Sequence, residues 1–239
     1  MIRPPPVIGH RGAAGLAPEN TLASFRQAAA LGAGMVEFDA RLSADGVPLV
    51  FHDDGLARTT NGVGEVAEMS WAELARLDAG AWFGADFAGE AIPRLDRVLT
   101  LCLELGLAVN MEIKPDAGRE AETARVCLEA VRGAWPAEAE PPLISSFARS
   151  CLEVARDLAP AWPRGMLVET VPPDWRAEAG RLGCEAIHAE HDGLESELVA
   201  EITASGLLVM AYTVNDKQRQ QDLWEMGVTA VFTDFPYSS

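Results

Sequence analysis

Two carboxylates stand two residues apart in Val36-Glu37-Phe38-Asp39-Ala40, alternating with apolar neighbours. Residues i and i+2 of a β-strand share a face, so Glu37 and Asp39 point one way and Val36, Phe38 and Ala40 the other. Their Cα atoms would be roughly 6.6 Å apart, close enough for both side chains to converge on one ion. In Val109-Asn110-Met111-Glu112-Ile113-Lys114 the pattern repeats, with Asn110, Glu112 and Lys114 on one face. Three uncompensated carboxylates repel one another and take up protons. A hard divalent cation with oxygen ligands, Mg²⁺ or Ca²⁺, resolves the conflict. A salt-bridge network with Arg41 and Lys114 would also resolve it, and spacing alone leaves both open.

The histidines fall into two classes. His10 ends an apolar run in Val7-Ile8-Gly9-His10-Arg11-Gly12, and His52 ends another in Leu49-Val50-Phe51-His52-Asp53. A single histidine at a strand end is usually structural, but two of them near three carboxylates can supply an acid and a base near working pH. Arg11 offers a planar fork suited to phosphate or carboxylate, and Gly12 permits close backbone approach. His188 and His191, in Ala186-Ile187-His188-Ala189-Glu190-His191-Asp192, are expected to be structural or to sit at a rim. Without a helix-spaced partner the histidines do not read as a zinc site.

These residues need a scaffold that brings them together. Candidate strands at 7–10, 35–42, 108–114, 143–146, 165–168, 186–189, 207–213 and 230–233 alternate with helix-period stretches at 21–31, 93–105, 119–132, 147–158, 175–182, 195–205 and 216–226. Asn20 or Thr21 can cap the first helix, and Gly106, Gly183, Gly206 and Gly227 each precede a strand. The alternation predicts an α/β fold, a (β/α)8 TIM barrel. A doubly wound open sheet is the alternative, but no Gly-rich dinucleotide loop opens the first helix. Helices cover the outside of such a barrel, so the acids should face its lumen. One piece breaks the repeat. A turn at 43–47 and a returning strand at 48–52 begin an excursion of about residues 45–92, carrying Trp71, Trp82 and Phe83. It leaves the carboxyl end of a strand, where barrel active sites sit, and a cap over the site is expected of it.

The 239 residues, 49% of them hydrophobic, suit one domain spanning 1–239 with that insertion inside it. With 19 basic and 36 acidic residues the formal charge is −17, which repels nucleic-acid backbones and anionic membrane surfaces. A small anionic substrate would need a local positive centre. Cys102, Cys127, Cys151 and Cys184 form no Cys-x-x-Cys pair and read as small buried side chains. Neither a signal-like N-terminus nor a membrane span is evident, so a cytoplasmic location is expected. Spacing says nothing of oligomeric state.

His10-Arg11-Gly12, Pro18-Glu19-Asn20-Thr21, Glu37-Phe38-Asp39, Asp45-Gly46, His52-Asp53, Arg58-Thr59-Thr60-Asn61-Gly62 and Glu112-Ile113-Lys114 together resemble the glycerophosphodiester phosphodiesterase family, in its short cytoplasmic bacterial form. The resemblance continues through Ser145-Ser146-Phe147, Tyr212-Thr213-Val214-Asn215 and Thr233-Asp234, in order along nearly the whole chain. It implies Glu37, Asp39 and Glu112 as ligands of one divalent cation and His10 and His52 as the general acid–base pair. Arg11 would bind phosphate, assisted by Lys114. Tyr212 stands where family members commonly carry Trp, keeping an aromatic wall against the substrate. The implied reaction is hydrolysis of a glycerophosphodiester to sn-glycerol 3-phosphate and an alcohol, in which the glycerol 2-hydroxyl can attack first to give a cyclic phosphate. A lysophospholipase D-like lipid phosphodiesterase and a non-catalytic phosphodiester-binding module are the alternatives.

Overall fold

The structure, a computed structural model, describes residues 2–237; residues 1, 238 and 239 of the expected 1–239 domain lie outside them. Eight strands run parallel and close into a barrel: β1 Val7–Gly9, β2 Met35–Leu42, β4 Ala108–Ile113, β5 Leu143–Ser146, β6 Arg164–Val168, β7 Ala186–Glu190, β8 Leu208–Tyr212 and β9 Ala230–Thr233. Closure comes from β1, which pairs with β9 on one side and with β2 on the other. A ninth strand, β3 Pro48–Val50, folds back antiparallel on β2. The helices between are α1 Leu22–Ala30, α2 Trp71–Leu74, α3 Leu95–Leu105, α4 Glu120–Ala134, α5 Arg149–Leu158, α6 Trp175–Leu182, α7 Ser196–Ala204 and α8 Lys217–Glu225. The TIM barrel expected from the alternation is therefore the fold.

Element ends differ from the sequence expectation by one or two residues, for local reasons. Thr21 is not the first residue of α1 but its cap, its Oγ1 accepting the Ser24 N–H at 3.2 Å. Lys114 lies just past β4 because Pro115 follows, although its N–H still donates to the Ala40 carbonyl. His10 lies just past β1, in the turn that Arg11 and Gly12 make with positive φ.

All eight residues of β2 are buried, because one face packs under helices and the other faces the lumen. On the outer side of the barrel wall, Phe25, Phe38, Leu99, Met111 and Leu128 join β2 and β4 to α1, α3 and α4, and a second cluster around Ile187, Ile202 and Leu223 serves the other half. Inside, Ile8, Met35, Leu143, Ala186, Met210, Ala230 and Phe232 close the bottom of the lumen. The polar residues of β2 and β4 thus begin above an apolar plug. The insertion has its own core of Leu49, Phe51, Leu56, Val66, Leu74, Ala79 and Ile92. Trp82, Phe83 and Phe87 of the insertion stack edge-to-face on one another, with centroids 5.5 Å apart.

All four cysteines are free and buried, as expected. No helix among the described residues is long and apolar enough to cross a membrane.

Candidate active site

The loop after β1 is shaped by glycine. A Cβ on Gly9 would meet the Gly12 carbonyl oxygen at 2.1 Å, and one on Gly12, at φ 91°, would meet Ser24 Oγ at 2.4 Å. This tight turn carries His10 and Arg11 over the barrel mouth, where the Arg11 N–H donates to Glu37 Oε2 at 2.9 Å. The guanidinium lies 2.6 Å from Glu19 and 3.4 Å from Asp39. Asn20, also at positive φ, donates from Nδ2 to Asp39 Oδ2 at 2.8 Å. Glu37, Asp39 and Glu112 converge, each offering an oxygen within 4.8 Å of the others. Lys114 Nζ stands 3.9 Å from both Asp39 and Glu112.

Arg41 is turned elsewhere. Its fully buried guanidinium pairs with Asp54 and Asp116 and donates to the His52 carbonyl. The alternative neutralising network of Arg41 and Lys114 is therefore only half present, and Glu37, Asp39 and Glu112 form a cluster that could hold a metal ion. The proton affinities agree. Burial raises Glu37 well above the ordinary carboxylate range, and Asp39 and Glu112 push it further. Burial and Asp39 raise Glu112 to about 8. Burial works on Asp39 too, but Arg11, His52 and Lys114 outweigh it and hold that carboxyl below its ordinary value. An oxygen-only donor set holding protons it would release to a cation fits a hard divalent ion.

Both expected histidines line the same cavity of about 440 Å³, together with Arg11, Glu37, Glu112, Lys114 and Tyr212. Each has its Nδ1 against a carboxylate: His10 against Asp234 at 2.7 Å, His52 against Asp53 at 2.6 Å. That leaves Nε2 of each ring for chemistry. Burial, opposed by Asp39, lowers the His52 pKa from 6.5. The Tyr212 hydroxyl donates to the Val168 carbonyl at 2.8 Å and its ring meets Phe147 edge-to-face at 6.1 Å, making one wall. His191 lies at the rim beside Asp192 and Arg219, as expected. His188, expected to be structural or at a rim, is fully buried and lines the cavity from below.

The sequence model of the Glycerophosphoryl diester phosphodiesterase family matches residues 10–238. The chain belongs to that family. A glycerophosphodiester phosphodiesterase of Caldanaerobacter subterraneus is 35% identical over 232 residues, covering 96% of this chain and 94% of the relative. An Oleispira antarctica phosphodiesterase, solved in complex with the product sn-glycerol-3-phosphate, is 40% identical with a TM-score of 0.95, covering 97% of this chain and 94% of that one. A glycerophosphodiester phosphodiesterase of Agrobacterium tumefaciens is 30% identical with a TM-score of 0.78, covering 96% of each chain.

Sequence reasoning missed the carboxylates that steady the site. Glu19, Asp53 and Asp234 sat in quoted motifs without a role. Arg58, from the insertion, grips both Glu19, at 2.7 Å, and Asp53, at 2.6 Å. Asp234 also accepts from Asn215 Nδ2 at 2.6 Å. Such orienting partners follow no periodicity, because each belongs to a different loop.

Proposed function

We propose that the protein hydrolyses glycerophosphodiesters to sn-glycerol 3-phosphate and a free alcohol, using a divalent cation and a histidine acid–base pair. The observation that carries this reading is the convergence of Glu37, Asp39 and Glu112 beside a cavity that Glu37 and Glu112 line together with His10 and His52. The bound product of the Oleispira relative is the product this reaction would release.

Glu37, Asp39 and Glu112 would hold the cation, Mg²⁺ or Ca²⁺. When bound it would supply Lewis-acid polarisation of a phosphate oxygen and lower the pKa of a neighbouring hydroxyl. Arg11 and Lys114 add fixed positive charge where negative charge builds on phosphorus. In a protein of net charge −17, these groups also give an anionic substrate its local attraction. Nε2 of one histidine takes the proton of the attacking hydroxyl, and Nε2 of the other protonates the departing alcohol; where the glycerol 2-hydroxyl attacks, water then opens the cyclic phosphate to sn-glycerol 3-phosphate. The carboxylates on Nδ1 fix each ring's orientation and tautomer. Tyr212 walls the alcohol side. The insertion of about residues 45–92 delivers His52 to the cavity.

Chromatographic identification of the products tests the reading. Incubation of glycerophosphocholine with the protein and Mg²⁺ should yield sn-glycerol 3-phosphate and choline. Release of phosphocholine and glycerol instead would contradict the proposed bond cleavage, and lack of turnover with tight diester binding would point to a binding module.

A further inference from the structure

His188 is fully buried on β7, yet neither of its ring nitrogens has a hydrogen-bond partner among the described residues. Asn110, on β4, has the same anomaly. Its Nδ2 donates to Ser145 Oγ at 3.0 Å, while its buried Oδ1 has no partner. Both side chains line the main cavity. Unpaired polar atoms are costly in an interior, and two such groups facing one cavity call for something that fills their bonding capacity.

The His188 ring has a prepared seat. It lies tilted on Phe232, with centroids 5.2 Å apart, and over Gly165, where a Cβ would come within 2.3 Å of Nε2. Burial pushes the His188 pKa down to about 3, so the imidazole is neutral near pH 7. A neutral ring presents one N–H donor and one acceptor, and Asn110 Oδ1 adds a second acceptor. This uncharged set is wrong for phosphate, which needs donors and positive charge. It suits a hydroxyl, which donates one hydrogen bond and accepts another.

Asn110 lies one inward-facing position below Glu112, roughly 6.6 Å along the strand. A phosphate held beside Arg11, Lys114 and the carboxylates would leave a three-carbon polyol free to reach that level. We propose that Asn110 and His188 form a hydroxyl-binding floor that takes the terminal hydroxyl of the substrate's glycerol. The inference rests on the function proposed above and adds its selectivity for glycerol over shorter or deoxygenated alcohols.

The test compares 4-nitrophenyl phosphodiesters of glycerol and of propane-1,2-diol, which share the hydroxyl next to the esterified carbon and differ only in the terminal one. The native protein should prefer the glycerol diester by on the order of tenfold in kcat/KM, the scale of a lost hydrogen bond between buried neutral groups. His188→Phe, which keeps the ring volume, should bring that ratio towards one. His188→Gln, which keeps a donor and an acceptor, should restore part of it. A glycerol preference that persists in His188→Phe overturns the proposal. A second measurement needs no variant: ¹⁵N shifts of the His188 ring in the native protein, titrated with sn-glycerol 3-phosphate or with inorganic phosphate. Only the first should move them. Equal shifts with both ligands, or with neither, would mean that the floor holds no more than water. If neither diester is hydrolysed, the proposed function fails, and the ring shifts still decide whether the floor binds a hydroxyl.

Discussion

His10 Nδ1 and Asp234 Oδ1 lie 2.7 Å apart across 224 residues of sequence, joining the first barrel strand to the loop after the last. Asp234 is half-buried and also accepts from Asn215. Burial is the largest single influence and would raise its pKa, but His10, Asn215 and Arg11 together outweigh it and hold the carboxyl below its ordinary value. A fixed carboxylate on Nδ1 sets the tautomer that leaves Nε2 for proton transfer. Asp234→Asn should keep the ring in place yet favour the wrong tautomer. Turnover of a glycerophosphodiester should fall by about 10²–10⁴-fold, the scale of one acid–base role, with the melting temperature little changed. Steady-state kinetics and thermal melts on the same preparation check it.

The histidines themselves should behave as catalysts rather than as packing. His10→Ala and His52→Ala should each lose turnover while keeping metal-dependent stabilisation. Because the two are proposed to act in one reaction, the double variant should be far less impaired than the product of the single losses. A nitrophenyl leaving group needs little protonation and should rescue only the variant that lacks the general acid. Rescue measured with that diester assigns the roles of His10 and His52.

Arg58 ties the insertion to both halves of the site. At Glu19 burial is the largest influence and raises the pKa, but Arg58 and Arg11 together hold the carboxyl below its ordinary value. At Asp53 the hydrogen bond from Arg58 leads and holds the carboxyl low against burial. Glu19 in turn holds Arg11, and Asp53 holds His52. Arg58→Met should therefore loosen Arg11, proposed to bind phosphate, and His52 together. We expect kcat/KM to fall by on the order of tenfold, with Arg58→Lys recovering only a part, because an ammonium cannot reproduce the guanidinium's forked geometry. Comparing the two variants in one kinetic series checks this.

The acid cluster makes stability depend on pH and metal together. Burial and Asp39 lift Glu112 to about 8 in the folded protein, against an ordinary 4.5. The fold thus binds this proton more tightly than the unfolded chain does. Its contribution is fully present below about pH 4.5 and is lost as pH rises towards 8. Glu37 shifts the same way. Asp39, held low, acts only at more acid pH. Chelator-treated protein should melt at progressively lower temperature between pH 5 and 8 as these groups are forced to ionise. Millimolar Mg²⁺ or Ca²⁺ should reverse the loss, most strongly at pH 8, because binding only the folded state stabilises by mass action. Glu112→Gln should remove most of the metal-dependent shift. Melting curves across that pH range, with and without metal, decide it.

The barrel was legible in the sequence because each strand and helix carries its own period and stop signals; β2, β5, β9 and α6 fall on their expected residues. The acid cluster was legible too, since alternation along β2 and β4 forces Glu37, Asp39 and Glu112 onto inward faces. Glu19, Arg58 and Asp234 were not, because their roles arise from loops that meet only when the barrel closes. His188 is buried, in keeping with a structural place, but its exact setting was not legible. Nothing local revealed that Gly165 on the neighbouring strand β6 clears room for the ring beneath the cavity. Arg41 shares the inward face of the acids in sequence, yet at the end of β2 it is drawn away by Asp54 and Asp116.

The most direct test of the central claim is the rate of sn-glycerol 3-phosphate release from glycerophosphocholine, measured on one preparation in excess chelator and again after Mg²⁺ or Ca²⁺ is restored. The proposed function predicts near-zero turnover in chelator, recovery with metal in the native protein, and no recovery in Glu112→Gln or in His52→Ala. Equal rates with and without metal, or full activity in either variant, would contradict it.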